Sequence, residues 1–159
     1  MVDAWEVLRG IPDPEIPVIN IVELGIVRDV TVTGASVRVA ITPTYSGCPA
    51  MHAIEEDIGA RLRESGYSDV EVTQQLSPAW TTDWMTGEAK ERLRGYGIVP
   101  PRRVQGTDAH RIHLFARGIN CPQCGSENTE RLSEFGSTAC KAMYRCIDCR
   151  EPFDYFKPL

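Results

Sequence analysis

Two short cysteine pairs near the end of the chain restrict its architecture more than any other feature. Cys121 and Cys124 lie in CPQCG, Cys146 and Cys149 in CIDC, with 21 residues between the pairs. A CxxC turn aims two thiolates at one point, and two facing turns close a tetrahedral all-sulfur site with no position left open. The intervening TERLSEF and CKAMYRC read as two paired strands around Gly136, so residues 118–159 are expected to form a β-type zinc ribbon. About forty residues bury too little apolar surface to fold unaided, so bound Zn2+ is expected to supply much of the stability. Four thiolates also suit an iron-sulfur cluster, an alternative that residue types leave open. Structural disulfides are disfavoured in a chain read as cytoplasmic. Arg150 stands where many such knuckles place a glycine in the left-handed conformation, and strain or a looser turn is expected there. Cys140, along one strand from Cys146, would lie ~20 Å from it; it is read as a fifth thiol outside the site, buried and structural or, as the alternative, at the surface to meet Cys48 or a partner's metal.

The first hundred residues show a different pattern, alternating helix and strand. Residues 3–9, DAWEVLR, read as a short helix capped by Asp3 with Trp5 and Leu8 inward, stopped by the prolines of IPDPEIP. Residues 23–29 read as extended. VTVTGASVRVAIT is a hairpin signal, two β-rich runs around Gly34. Met51, Ile54, Ile58 and Leu62 recur at helical spacing, Asp57 and Arg61 form an i,i+4 pair, and Gly66 is a stop signal. DVEVTQQL returns as a strand, and EAKERLRGYG as a short helix. The expectation is an α+β body over residues 1–100, a small mixed sheet packed by helices. GIVPPRRVQGTDAH then interrupts the periodicity, placing a linker at 101–117.

One cysteine, Cys48, belongs to the body. In TPTYSGCPAMHAIEED it follows a strand and precedes Pro49, a residue suited to the first helical position. Free backbone N–H groups at a helix start favour a thiolate, and Gly47 lets the backbone approach whatever the sulfur touches. The position alone leaves three readings open: a small buried hydrophobe, a nucleophile, or a metal-handling ligand. His52, one turn on, is readable as a base, a co-ligand or polar surface.

Composition narrows the function classes. The 159 residues are 42% hydrophobic and 25% charged, as in a globular protein, with no apolar run of membrane-spanning length and no charged-then-apolar start. A cytoplasmic location is expected. The net charge of −5 is unevenly spread, with 15 acids against 8 bases in residues 1–100 and 7 against 9 in 101–159. Arg102, Arg103, Arg111, Arg117 and Arg131 give the linker and tail some positive charge. A zinc-ribbon module binding nucleic acid or docking onto protein is therefore the alternative to weigh, but the acidic body lacks a dense basic stripe, so no nucleic-acid partner is expected. A thiol enzyme using Cys48 and His52 lacks a recognisable acidic orienter or oxyanion motif.

DPEIPVINIVELGIVRDV, ITPTYSGCPAMHAIEEDI and LSPAWTTDWMTGEAKERLRGYGIVPP together resemble the small α+β domain of iron-sulfur assembly factors of the SufT kind. With CPQCGS, SEFGSTACKAMYRC and EPFDYFKPL added, the whole chain is similar to the PaaD (PaaJ) family of bacterial phenylacetate degradation. The resemblance implies a non-catalytic maturation factor of the multicomponent phenylacetyl-CoA epoxidase, delivering or inserting iron or an iron-sulfur cluster. It implies partners among the epoxidase subunits, its reductase included. The family's shared surface pocket corresponds to Asp13, Glu15, Thr42, Thr44 and Cys48, and its ribbon ligands to Cys121, Cys124, Cys146 and Cys149, holding structural zinc. One cysteine holds a cluster too weakly to keep it, so a transient cluster or iron at Cys48 would need a second subunit, another thiol or a small ligand, with Asp13 or Glu15 as hard ligands or orienting groups. A homodimer or a partner-completed site is expected, and no membrane contact.

Overall fold

The computed structural model describes residues 2–102 and 118–159. Apart from its first two residues, the expected linker lies outside them. The chain divides into two compact units, Met1–Thr86 and Gly87–Leu159, each with its own sheet.

In the first unit, α1 (Ala4–Arg9) is capped by Asp3, whose carboxylate accepts the Trp5 N–H at 3.2 Å. Ala4 and Leu8 form its buried side, and Trp5, expected inward, is only half-buried. Strands β1 (Val27–Thr33) and β2 (Ser36–Ile41) pair antiparallel, closing at Thr33 opposite Ser36. The two-residue turn between them starts at Gly34, whose φ of 61° is the left-handed conformation such turns require. From β2 the chain enters α2 (Ala50–Glu64) and returns as β3 (Asp69–Gln74), parallel to β2, in the order β1-β2-β3. A parallel pair needs such a crossover, and α2 supplies it. Val37, Val39 and Ile41 of β2 are fully buried, as are Met51, Ile54, Ile58 and Leu62 of α2. Burying each of these aliphatic side chains contributes roughly 1.5–3 kcal/mol. Ser65 and Gly66, with φ of 102° at Gly66, end the helix. Asp57 and Arg61 pair at 3.0 Å.

Residues 23–25, the start of the run expected to be extended, instead belong to a turn over 21–25, and β1 begins only at Val27. The Asn20 side chain accepts the N–H groups of Val22 and Glu23, and Leu24 donates back to Asn20 O, which bends the chain before a strand can start. A later segment clasps this turn. The Trp80 indole donates to Leu24 O at 3.0 Å, Thr86 N–H to Glu23 O at 3.0 Å, and the Arg28 guanidinium lies 3.5 Å above the Trp84 ring. Gly25 sits beneath Trp84 at φ 81°.

The second unit contains α3 (Gly87–Gly95), β4 (Ile98–Val99), β5 (Thr129–Ser133), β6 (Lys141–Cys146) and β7 (Pro152–Phe156) in one sheet of order β4-β7-β6-β5. Residues 87–99, placed with the body by sequence, group here because Ile98 and Val99 pair with Asp154 and Tyr155. A small core of Ile119, Cys121, Cys146, Phe153 and Tyr155 lines one face, with Tyr144 stacked on Phe153 and edge-on to Tyr155.

A Cβ at Gly25 would stand 2.8 Å from the Trp84 Cβ and 2.9 Å from its carbonyl oxygen. Gly25→Ala is therefore expected to lower unfolding stability by about 2–4 kcal/mol, combining a strained φ with a backbone clash. Urea denaturation measures it, and a change below about 0.5 kcal/mol would show that the clasp is not held tightly.

Candidate functional site

The two cysteine turns converge. All four sulfurs of Cys121, Cys124, Cys146 and Cys149 lie within 4.8 Å of one another. Cys121 Sγ is 3.6 Å from Cys149 Sγ, and Cys124 Sγ is 3.6 Å from Cys146 Sγ. A disulfide would hold two sulfurs at about 2.05 Å, whereas a tetrahedron with bonds of about 2.3 Å to zinc has edges of about 3.8 Å. The donor set and its spacing fit a four-thiolate metal site.

The knuckles repeat each other in backbone detail. Cys121 N–H donates to Ser126 O at 2.8 Å and Cys146 N–H to Glu151 O at 3.0 Å. Gln123 N–H points at Cys121 Sγ, Asp148 N–H at Cys146 Sγ, Ser126 N–H at Cys124 Sγ and Glu151 N–H at Cys149 Sγ. The turn after each pair takes positive φ, 77° at Gly125 and 65° at Arg150. Arg150 is the non-glycine with positive φ among the described residues, so the strain expected there is present in the backbone. The knuckles are also laced to each other: Ser126 and Asn128 side chains donate to the Asp148 carboxylate, and Ile147 N–H donates to Asn128 O. These donors, Ser126 first, hold the Asp148 carboxyl below its ordinary range. Sequence reading missed this lacing, although the polar SEN after CG and the Asp inside CIDC were there to signal it.

Sulfur charges explain why a cation belongs here. N–H groups of Cys149 and Asp148 pull the Cys146 thiol down to about 7. At Cys149 the Glu151 N–H acts the same way, but burial and the neighbouring sulfurs outweigh it and push that thiol up to about 12. Four thiolates this close do not all ionise without a positive charge among them. Cys140, expected buried, is so, with its sulfur 3.0 Å from Thr138 Oγ1.

The other candidate residues gather in the first unit. Thr42, Thr44 and Cys48 occupy the loop from β2 to α2, while Asp13 and Glu15 lie in the 11–20 turn. A run of backbone bonds joins the two: Thr42 N–H to Ile26 O, Ile26 N–H to Ile21 O, Ile21 N–H to Ile11 O. Asp13, only 5% exposed, takes the N–H groups of Glu15 and Ile16 on its carboxylate, so it shapes the turn. Cys48 is half-buried; its N–H donates to Tyr45 O and its carbonyl accepts Met51 N–H. Pro49, expected at the first helical position, is the N-cap, one residue earlier. It offers no side-chain cap, and no acid occupies the first turn of α2. The N-cap thus supplies no side-chain acceptor to the N-terminal N–H groups of this 15-residue helix beside Cys48. His52 pairs with Glu56 at 3.2 Å, both exposed, rather than serving the thiol. Thr42 is 1% exposed, and its Oγ1 is the buried side-chain polar atom without a hydrogen-bond partner among the described residues.

Fold and sulfur site together define a class: an α+β domain of the iron-sulfur assembly type, with a four-cysteine β ribbon for a structural metal such as zinc. Two family models match, "Iron-sulfur cluster assembly protein" over residues 2–73 and "PaaD zinc beta ribbon domain" over residues 106–157. An Escherichia coli (strain K12) protein, provisionally named as a component of 1,2-phenylacetyl-CoA epoxidase, is 54% identical over 155 residues, 98% of this chain and 91% of that one. An Fe-S protein maturation auxiliary factor of Porphyromonas gingivalis is 38% identical over 94 residues, 57% of this chain and 88% of that one. A crystal structure of a domain of unknown function, DUF59, from Bacillus anthracis superposes with a TM-score of 0.53 at 30% identity, over 57% of this chain and 87% of that one. The chain belongs to the PaaD family, which includes that Escherichia coli epoxidase component.

A thiol held below its ordinary pKa stabilises the fold above that value and loses the contribution as pH falls through the lowered one. For Cys146 without metal that window runs from 9.0 down to about 7, and a coordinated dication moves it lower. Zinc-loaded chain is therefore expected to release metal to a chelating dye as pH falls from about 7 to about 5; full retention across that range would contradict a four-thiolate site. Thr42→Val is expected to stabilise the first unit by about 1–3 kcal/mol, since it removes an unpaired buried hydroxyl at constant volume. A loss of stability on urea denaturation would show that Oγ1 has a partner.

Proposed function

We propose that this chain is an accessory factor of the phenylacetyl-CoA epoxidase that passes iron or an iron-sulfur cluster to the oxygenase-reductase complex and carries out no catalytic step itself. The observation that carries the reading is the isolation of Cys48 in its unit. It is the one cysteine of residues 1–86, half-buried on a loop at the uncapped start of α2. A single protein thiolate supplies too few ligands to keep a cluster, which is what a carrier needs and a resident redox centre cannot tolerate. The names of the two relatives, an epoxidase component and a maturation factor, support an accessory role.

In this mechanism the Cys48 thiolate binds cargo and α2 favours the negative charge with its N-terminal N–H groups. Thr44 offers a half-buried hydroxyl on the same loop, with Thr42 buried behind it, and Glu15 lies on the linked turn. The remaining ligands come from a second copy, a component of the epoxidase such as its reductase, or a small thiol. The four ribbon sulfurs hold a structural metal, zinc by the family's description, and present the ribbon as a folded docking module. The protein acts in the cytoplasm as a homodimer or a partner-completed assembly. Among the described residues Arg38, Arg61, Arg94, Arg131 and Arg145 are all paired with acids, which does not favour a nucleic-acid surface.

Anaerobic reconstitution with iron and sulfide is expected to give wild-type chain a charge-transfer absorption and a cluster Mössbauer signal, weakened at least about tenfold in Cys48→Ala. Zinc content stays the same in both. Equal cluster binding by the two proteins would remove Cys48 from the mechanism.

A further inference from the structure

We propose that Cys124 is an oxidant-responsive modification site: a hydroperoxide joins it to Cys146 across the two knuckles and expels the ribbon's metal. The inference rests on reading the four-cysteine cluster as a structural metal centre.

The cluster is lopsided. Cys121 is 3% exposed and Cys146 fully buried, whereas Cys124 is exposed and Cys149 half-buried. Each of the 3.6 Å contacts couples a cysteine that is exposed or half-buried to one that is buried, Cys124 to Cys146 and Cys149 to Cys121. A solvent-borne oxidant therefore meets Cys124 first, and a buried resolving thiolate waits behind it. Metal coordination keeps both as thiolates, the reactive form.

The chemistry balances with hydrogen peroxide as the oxidant. The Cys124 thiolate attacks one peroxide oxygen; an S–O bond forms, the O–O bond breaks, and hydroxide leaves. The Cys146 thiolate then attacks the Cys124 sulfenic sulfur; the S–S bond forms, the S–O bond breaks, and a second hydroxide leaves. Two electrons pass from the two sulfurs to one peroxide. Cys121 and Cys149 remain as two thiolates, too few to retain the ion.

The partner matters as much as the first residue. A bond within one CxxC turn would link residues already adjacent and leave the knuckles free to part. A Cys124–Cys146 bond joins the turn before β5 to the end of β6, the same two points that the metal held. Its closed loop takes over the metal's constraint on the unfolded chain, so the oxidised ribbon keeps its sheet and reduction can restore the site. By contrast Cys140 is buried against Thr138, away from solvent. Cys48 is the other half-exposed thiol and the natural competitor.

The test uses zinc-loaded full-length chain, wild type and Cys48→Ala, with one equivalent of hydrogen peroxide at neutral pH. A chelating dye reads free zinc, and mass spectrometry of non-reduced digests reads the disulfides. The expected result in both proteins is one zinc released per Cys124–Cys146 bond, with far-ultraviolet circular dichroism retained and reloading after reductant and zinc. Zinc retained while Cys48 alone is oxidised would overturn the proposal, as would zinc lost with bonds Cys121–Cys124 or Cys146–Cys149. A chain that holds no zinc before peroxide is added would instead sink the metal-centre reading itself.

Discussion

Mutual repulsion among four sulfurs within 4.8 Å is the constraint on which the ribbon depends. Left alone, these thiols cannot all give up their protons, and burial with the neighbouring sulfurs pushes the Cys149 thiol up. A dication removes the conflict and turns the sulfurs into the crosslink that the ribbon's small core cannot replace. The backbone anticipates that charge. N–H groups from both knuckles point at the sulfurs, and Arg150 accepts a left-handed φ so that the second turn can match the first.

The first unit is stabilised by different means, with a helix crossover packed on a three-stranded sheet and a tryptophan clasp over the turn before β1. That leaves its cysteine free of any structural crosslink. The loop from β2 to α2 then becomes a place where a thiol, two hydroxyls and uncapped helix N–H groups occur together, tied through Ile26 and Ile21 to the Asp13 turn. In the proposed function, the contrast between a closed four-sulfur site and an open one-sulfur loop is what would separate a structural role from a carrying role in one chain.

Much of this was legible in the residues, and the reason is locality. The CxxC pairs, the Gly34 hairpin and the Met51–Leu62 apolar stripe each carry their signal within one turn or one helix. The clasp was not legible because its bonds join Trp80 to Leu24 and Thr86 to Glu23, which no local period records. The same holds for β4, two residues whose strand character comes only from pairing with Asp154 and Tyr155. At the candidate site, the place of Cys48 at the start of α2 was readable from Pro49 after it. The burial of Thr42 with an unpaired hydroxyl was not, since it depends on what packs around the strand end. Asp13 was read as a possible ligand, and its carboxylate is engaged in shaping the turn.

The claim that the ribbon holds a closed structural metal apart from the carrier loop is most directly tested by X-ray absorption at the zinc edge of full-length chain. The account predicts four sulfur neighbours at about 2.3 Å and no nearby metal scatterer. A shell containing nitrogen or oxygen, or iron found in place of zinc within the four-cysteine site, would contradict it.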